Sequence, residues 1–100
     1  VASAVNLFLG YLPSVSDEKS HQAICSQVAR LLHEERVLQG LSLKTLAERA
    51  GLSRQMVSYV EQEERNPTLD TLLRISTALG VKLEELIAQA QATVSKKKSK

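Results

Sequence analysis

The sequence predicts an all-α fold, and three observations lead there. Leu, Ala, Glu, Gln, Lys and Arg, the good helix formers, dominate its 100 positions. Aromatic residues make up only 3% of the chain and β-branched runs are scarce, so little favours strands. Apolar residues recur at spacings of three and four between glycines at 40, 51 and 80, the pattern of amphipathic helices with marked ends. An apolar content of 43% is ordinary for a folded chain, and this length suits one small domain with one core.

Residues 1–15 carry no charge, are broken by Gly10 and Pro13, and read cleanly as neither helix nor strand. The stretch AVNLFLGYL within them is too apolar to float free, so this arm is expected to dock on its own domain or on a second copy. The domain itself is expected over residues 16–92. Its first helix starts between Asp17 and His21 and runs to about Gln39, with a stripe of Ile24, Val28, Leu31, Leu32 and Leu38; Gly40 ends it. Ser42 caps a short helix to Ala50 that turns Leu43, Leu46, Ala47 and Ala50 inward. Gly51 breaks it, and Ser53 caps a third helix through about Gln62. Pro67 excludes helix just before it. Thr68 then caps a fourth helix to Leu79, with Asp70 suited to the positive end of its dipole. Its expected stripe is Leu69, Leu72, Leu73, Ile75 and Leu79, and Gly80 closes it. A fifth helix covers about Leu83 to Ala92, with Leu86, Ile87 and Ala90 apolar. Residues 93–100 are expected to be a disordered basic tail.

Charge and cysteine usage narrow the function classes. The net charge is +2, but Lys96, Lys97, Lys98 and Lys100 lie in the tail, and without them the chain carries 9 basic against 11 acidic residues. The body is therefore not a broad polyanion binder, and any nucleic-acid contact rests on a few placed residues. The tail is a solvated end or a source of nonspecific phosphate attraction. Cys25 stands alone, so no internal disulfide forms, which fits a cytoplasmic protein. No apolar run approaches the roughly 20 residues of a membrane span, and VNLFLGYL lacks the basic lead of a signal peptide.

Residues 43–62 carry the functional argument. Two short helices there are joined by a single glycine. Ala47 is small enough for a close crossing, and Gly51 accepts the positive φ of a tight turn. Leu46, Ala50, Leu52, Val57 and Val60 are spaced to fill the wedge between the helices. Together they describe a helix-turn-helix, whose second helix, residues 53–62, lies in the DNA major groove.

The segments GLSLKTLAERAGLS, VSYVE, ERNPTLDTLLRIS and ALGVKLEEL, in this order and spacing, resemble the phage repressor and Cro family of regulators (the xenobiotic-response-element type) over about residues 24–88. The resemblance implies a five-helix, lambda-repressor-like DNA-binding domain. It assigns base reading to Arg54 and Gln55, with Ser58 and Tyr59 one turn further on. Arg can bond guanine O6 and N7 in pairs, and Gln can do the same with adenine. Met56 touches a thymine methyl or covers the rim of the core. Phosphate contacts fall to Ser42 and the free amides of its helix, Lys44, Ser53, and Arg65 and Asn66 in the following loop. Arg36 and Glu61 are expected to pair as a structural prop for the reading helix rather than to touch DNA.

The sequence also departs from that family. Leu43 stands where many relatives carry a phosphate-binding glutamine. Glu63 replaces a glycine at the end of the reading helix, so a different helix end is expected there. Glu61, Glu63 and Glu64 crowd the phosphate path, and Lys82 replaces the serine cap of the fifth helix. Other chemistries find no support. His21 and Cys25 share a metal-pair spacing without a third ligand; Cys25 reads as a small buried or half-buried residue without a base to activate it, and His33 as solvent-facing. No catalytic set, metal or cofactor is implied, so the chain is not read as an enzyme. The expectation is a sequence-specific transcriptional regulator that binds double-stranded DNA as a homodimer, joined through the fifth helix and residues 1–12. A protein-interaction module or antitoxin built on the same fold is the alternative, and an effector domain lying outside this chain is compatible with either.

Overall fold

The computed structural model describes residues 17–64 and 66–98. The arm expected over 1–15 lies outside these residues, as does Arg65. Five helices follow one another: α1 (Asp17–Leu38), α2 (Leu43–Ala50), α3 (Arg54–Glu61), α4 (Leu69–Leu79) and α5 (Leu83–Lys98). No strand occurs among the described residues.

Side-chain oxygens set the starts of the three middle helices. Ser42, Ser53 and Thr68 accept from the amides of Thr45, Met56 and Thr71 at 3.0, 3.0 and 3.1 Å. Each cap satisfies one of the amides that a helix N-terminus leaves without a partner. Lys82 offers α5 no such oxygen; Glu84 and Glu85 in its first turn supply only negative charge at the positive dipole end.

The core gathers one face of every helix. Leu32 of α1, Leu46 and Ala47 of α2, Val57 and Val60 of α3, Ile75 and Leu79 of α4, and Leu83, Leu86 and Ala90 of α5 form one buried cluster. Helix α1 runs along α5 and also touches α3 and α4, while α2 packs against α3 and α4. The first helix is thus the beam on which the helix-turn-helix is mounted.

Four details differ from the sequence reading. Leu38 is 80% exposed, not core: it lies six residues past Leu32, about a third of a turn off the buried stripe. Leu69 and Leu73 are exposed as well, while Thr71 and Ser76 are buried. At about 100° per residue, positions 69 and 73 point roughly opposite to 71 and 75, so the fourth helix turns small polar residues inward and two leucines outward. Cys25 is exposed, at the edge of a crevice it shares with Gln22, Ser26 and Pro67. Finally, α5 does not stop at Ala92. It continues through the expected disordered tail to Lys98, since nothing between 92 and 98 breaks a helix and Val94 is buried at 8% exposure.

Two substitutions separate these arrangements. Val94→Ala is expected to lower the unfolding free energy by about 1.5–2 kcal/mol in urea titrations, the value of two buried methyl groups plus a small cavity. Leu38→Ala should stay within about 0.5 kcal/mol of the parent chain, as surface changes do.

Candidate nucleic-acid interface

The α2–α3 unit is built from small residues at its crossing. Ala47 is 2% exposed, and its carbonyl accepts the Leu52 amide at 2.9 Å across the turn. Gly51 sits between them at φ 70, a left-handed backbone that a side chain would strain. Val57 and Val60 are the buried residues of α3. So narrow an apolar stripe leaves the head of the helix, Arg54 and Gln55, turned outward.

Arg54 and Gln55 are exposed on the outer side, and Met56, Ser58 and Tyr59 are half-buried. The Gln55 side chain does not wave freely: its Nε2 donates to the Tyr59 hydroxyl at 2.5 Å. One amide hydrogen and the amide oxygen remain for a base edge. This i,i+4 bond joins two expected readers into one constrained unit.

The expected phosphate contacts are spread around this helix rather than gathered. Lys44, Ser53 and Asn66 are exposed. Ser42 is exposed too, but its hydroxyl both accepts from the Thr45 amide and donates to the Thr45 hydroxyl, each at 3.0 Å. Its hydroxyl is committed to the cap, so the uncapped amides of the first turn are the donors still open at the head of α2. Asn66 borders the crevice that Cys25 and Val60 also line, at the far end of α3 from Arg54.

Behind α3 lies a compact ionic clamp. Arg36 of α1 donates from Nε to Glu61 Oε2 at 2.7 Å and from Nη2 to Oε1 at 2.9 Å. Its Nη1 donates to the Leu41 carbonyl at 2.7 Å, so one guanidinium holds α1, the segment before α2 and the end of α3. The Arg36 and Glu61 side chains are 13% and 7% exposed. Burial, the largest single influence, pushes the Glu61 carboxyl up, yet the hydrogen bonds from Arg36 and His33 and their charges together hold it below the usual carboxylate range. The hydrogen bond to Glu61 raises Arg36 above its ordinary value, against the opposing effect of burial.

Sequence reasoning missed one member of this group. His33 is exposed, as expected, but its Nδ1 lies 2.7 Å from Glu61 Oε1. A carboxylate only accepts, so Nδ1 carries the proton. The spacing held the signal: His33 and Arg36 are three apart on one helix and therefore reach the same carboxylate.

The expected change at the end of α3 does not occur. Glu63 adopts φ 61, the left-handed backbone, and its amide bonds the Val60 carbonyl at 3.1 Å while the Glu64 amide bonds that of Tyr59 at 3.0 Å. These bonds match the pattern at Gly51, so a glutamate performs a glycine's turn at a conformational cost of about 1 kcal/mol.

Comparison with known proteins places this geometry. The helix-turn-helix family model matches residues 32–86. The chain is 38% identical over 68 residues to the uncharacterized HTH-type transcriptional regulator y4dJ of Sinorhizobium fredii, covering 68% of this chain and 83% of that one. It is 38% identical over 61 residues to the HTH-type transcriptional regulator SutR of Escherichia coli, covering 61% of this chain but only 34% of SutR. Among solved structures, the restriction-modification controller protein C.AhdI from Aeromonas hydrophila superposes with a TM-score of 0.58 at 38% identity, over 63% of this chain and 94% of that one.

Because the Glu61 carboxyl is lowered on folding, its contribution is complete above its unfolded value of 4.5 and is lost as pH falls through the folded value. Acid titration of stability should show this loss, and Glu61→Gln should remove it while costing about 3 kcal/mol at neutral pH by leaving Arg36 unpaired. Glu63→Gly should raise the unfolding free energy by about 0.5–1 kcal/mol in the same assay.

Proposed function

The chain belongs to the helix-turn-helix family, and from that membership we propose that it is a DNA-binding transcriptional regulator that sets α3 in the major groove. One observation carries the reading: α3 buries Val57 and Val60 and turns Arg54 and Gln55 outward, on a helix locked to α1 through Glu61. Arg54 reads guanine, and Gln55, oriented by Tyr59, reads adenine. The amides at the head of α2, Lys44, Ser53 and Asn66 grip the backbone on either side. Arg65 is assigned to the same role by the sequence resemblance alone. The role is regulatory and not enzymatic, and the protein acts in the cytoplasm.

The regulator works as a homodimer on two half-sites about 34 Å apart, one helical turn of DNA. The apolar side of α5 is occupied by its own core, through Leu83, Leu86 and Ala90. Val37, Leu38, Leu69 and Leu73 are the large apolar side chains left exposed among the described residues, and they offer a second copy more than α5 does. No helix among those residues is long and apolar enough to cross a membrane.

The acidic balance of the body motivates a second reading, in which the same fold grips a protein partner. Binding to duplex DNA at several salt concentrations separates the two, since phosphate contacts give a steep negative slope and a protein-only module gives no binding. Selection from random duplexes should return a two-half-site operator. On that operator Arg54→Ala and Gln55→Ala should each lose about 1–3 kcal/mol and relax preference at one base pair, with far smaller losses on random DNA. Tyr59→Phe should relax preference at the Gln55 position alone.

A further inference from the structure

We propose that His33 is a phosphate ligand at the edge of the reading surface and that it takes up a proton when duplex DNA binds. This assignment rests on the DNA-binding reading above. A crevice opens where α1, the head of α2 and the second half of α3 meet, lined by His33, Arg36, Leu43, Ser58, Glu61 and Gln62. It lies beside the proposed contacts: Ser58 is one turn along α3 from Arg54, and Leu43 separates Ser42 from Lys44.

The charges in the crevice decide what it can bind. Arg36 and Glu61 are joined by two bonds, cancel one another, and are both largely buried. Leu43 supplies no donor, and Ser58 and Gln62 are uncharged. His33 is the one member that can exist as either a neutral ring or a cation while keeping its bond to Glu61. Its side chain is 47% exposed, and the bond from Nδ1 to Glu61 fixes the ring. With the Nδ1 proton committed there, the neutral ring offers a phosphate only the lone pair of Nε2. A phosphate oxygen also has only lone pairs, so the neutral ring and the backbone cannot bond.

Adding one proton at Nε2 changes this without moving the ring. The imidazolium keeps Nδ1–H on Glu61 and donates Nε2–H to the phosphate, placing two anions on opposite sides of one cation. Glu61 of α3 and the incoming phosphate favour that proton. Arg36, whose Nη2 lies 3.4 Å from Nδ1, opposes it, and α2 presents only Leu43 to the crevice. Phosphate arrival therefore selects the protonated form, and affinity becomes linked to pH.

The experiment is titration calorimetry of the full chain with duplex DNA between pH 6 and 8, in buffers of different ionisation enthalpy. The parent chain should bind more weakly as pH rises, by at most about tenfold per unit, the limit for one proton. Its apparent enthalpy should depend on the buffer in the sense of proton uptake. His33→Gln should bind with an affinity independent of pH and buffer, and at pH 6 its salt slope should be shallower by about one. His33→Lys should restore that slope without the pH dependence. His21→Ala, an exposed histidine elsewhere on α1, should behave as the parent does. Duplex binding by the parent that is flat in pH, or proton uptake that persists in His33→Gln, would overturn the assignment of His33 alone. Failure to retain any duplex at low salt would overturn the DNA-binding reading together with it.

Discussion

The carboxylate of Glu61 is the point through which the helix-turn-helix is fixed to the rest of the molecule. It sits at the last turn of α3, nearly closed off from water, and receives two bonds from one guanidinium. That guanidinium in turn holds the Leu41 carbonyl at the approach to α2. A buried ion pair contributes little net stability compared with well-packed apolar residues, because both charges lose their hydration. Its value lies in direction. Hydrophobic contacts allow a helix to roll or slide by small amounts, whereas a two-bond contact with planar geometry does not.

Helix α3 needs that kind of support. Eight residues make too short a helix to stand alone in water, and two valines give it little apolar surface to bury. It is stable because its three weak points are each secured: Ser53 at the head, the valines along the middle, and Glu61 with the left-handed Glu63 at the foot. An exposed outer face and a narrow buried one are therefore parts of one arrangement. Side chains that are free to meet a ligand are side chains that cannot help the core, so the missing cohesion is supplied at the ends.

Helix limits were legible in the sequence because caps and turns are local chemistry. Ser42, Ser53 and Thr68 were readable as starts and Gly51 as a stop, since each acts within a few residues of itself. Buried faces were less legible. Large apolar side chains invite assignment to the core, yet Leu38, Leu69 and Leu73 are exposed while Thr71 and Ser76 are enclosed. Which side of a helix is covered depends on where its neighbours lie, and that is not written in one helix's own spacing. The tail was misread for a related reason. A lysine run suggests a solvated coil, but the burial of Val94 against the first half of α1 depends on a helix more than sixty residues earlier. At the candidate site, the paired Arg36 and Glu61 were readable from resemblance, whereas the part played by His33 required knowing that the same carboxylate lay within its reach.

The long run of α5 also divides the molecule electrically. Val94 shares a crevice with Lys19 and Ala23, near the beginning of α1, and with Arg30 past its middle, while the ion pair behind α3 sits near the end of that helix. Thirteen residues separate Ala23 from Arg36 on one helix, a span of about 20 Å. Physiological salt damps an exposed charge over about 8 Å, so charge near the head of α1 is screened from the ion pair behind α3.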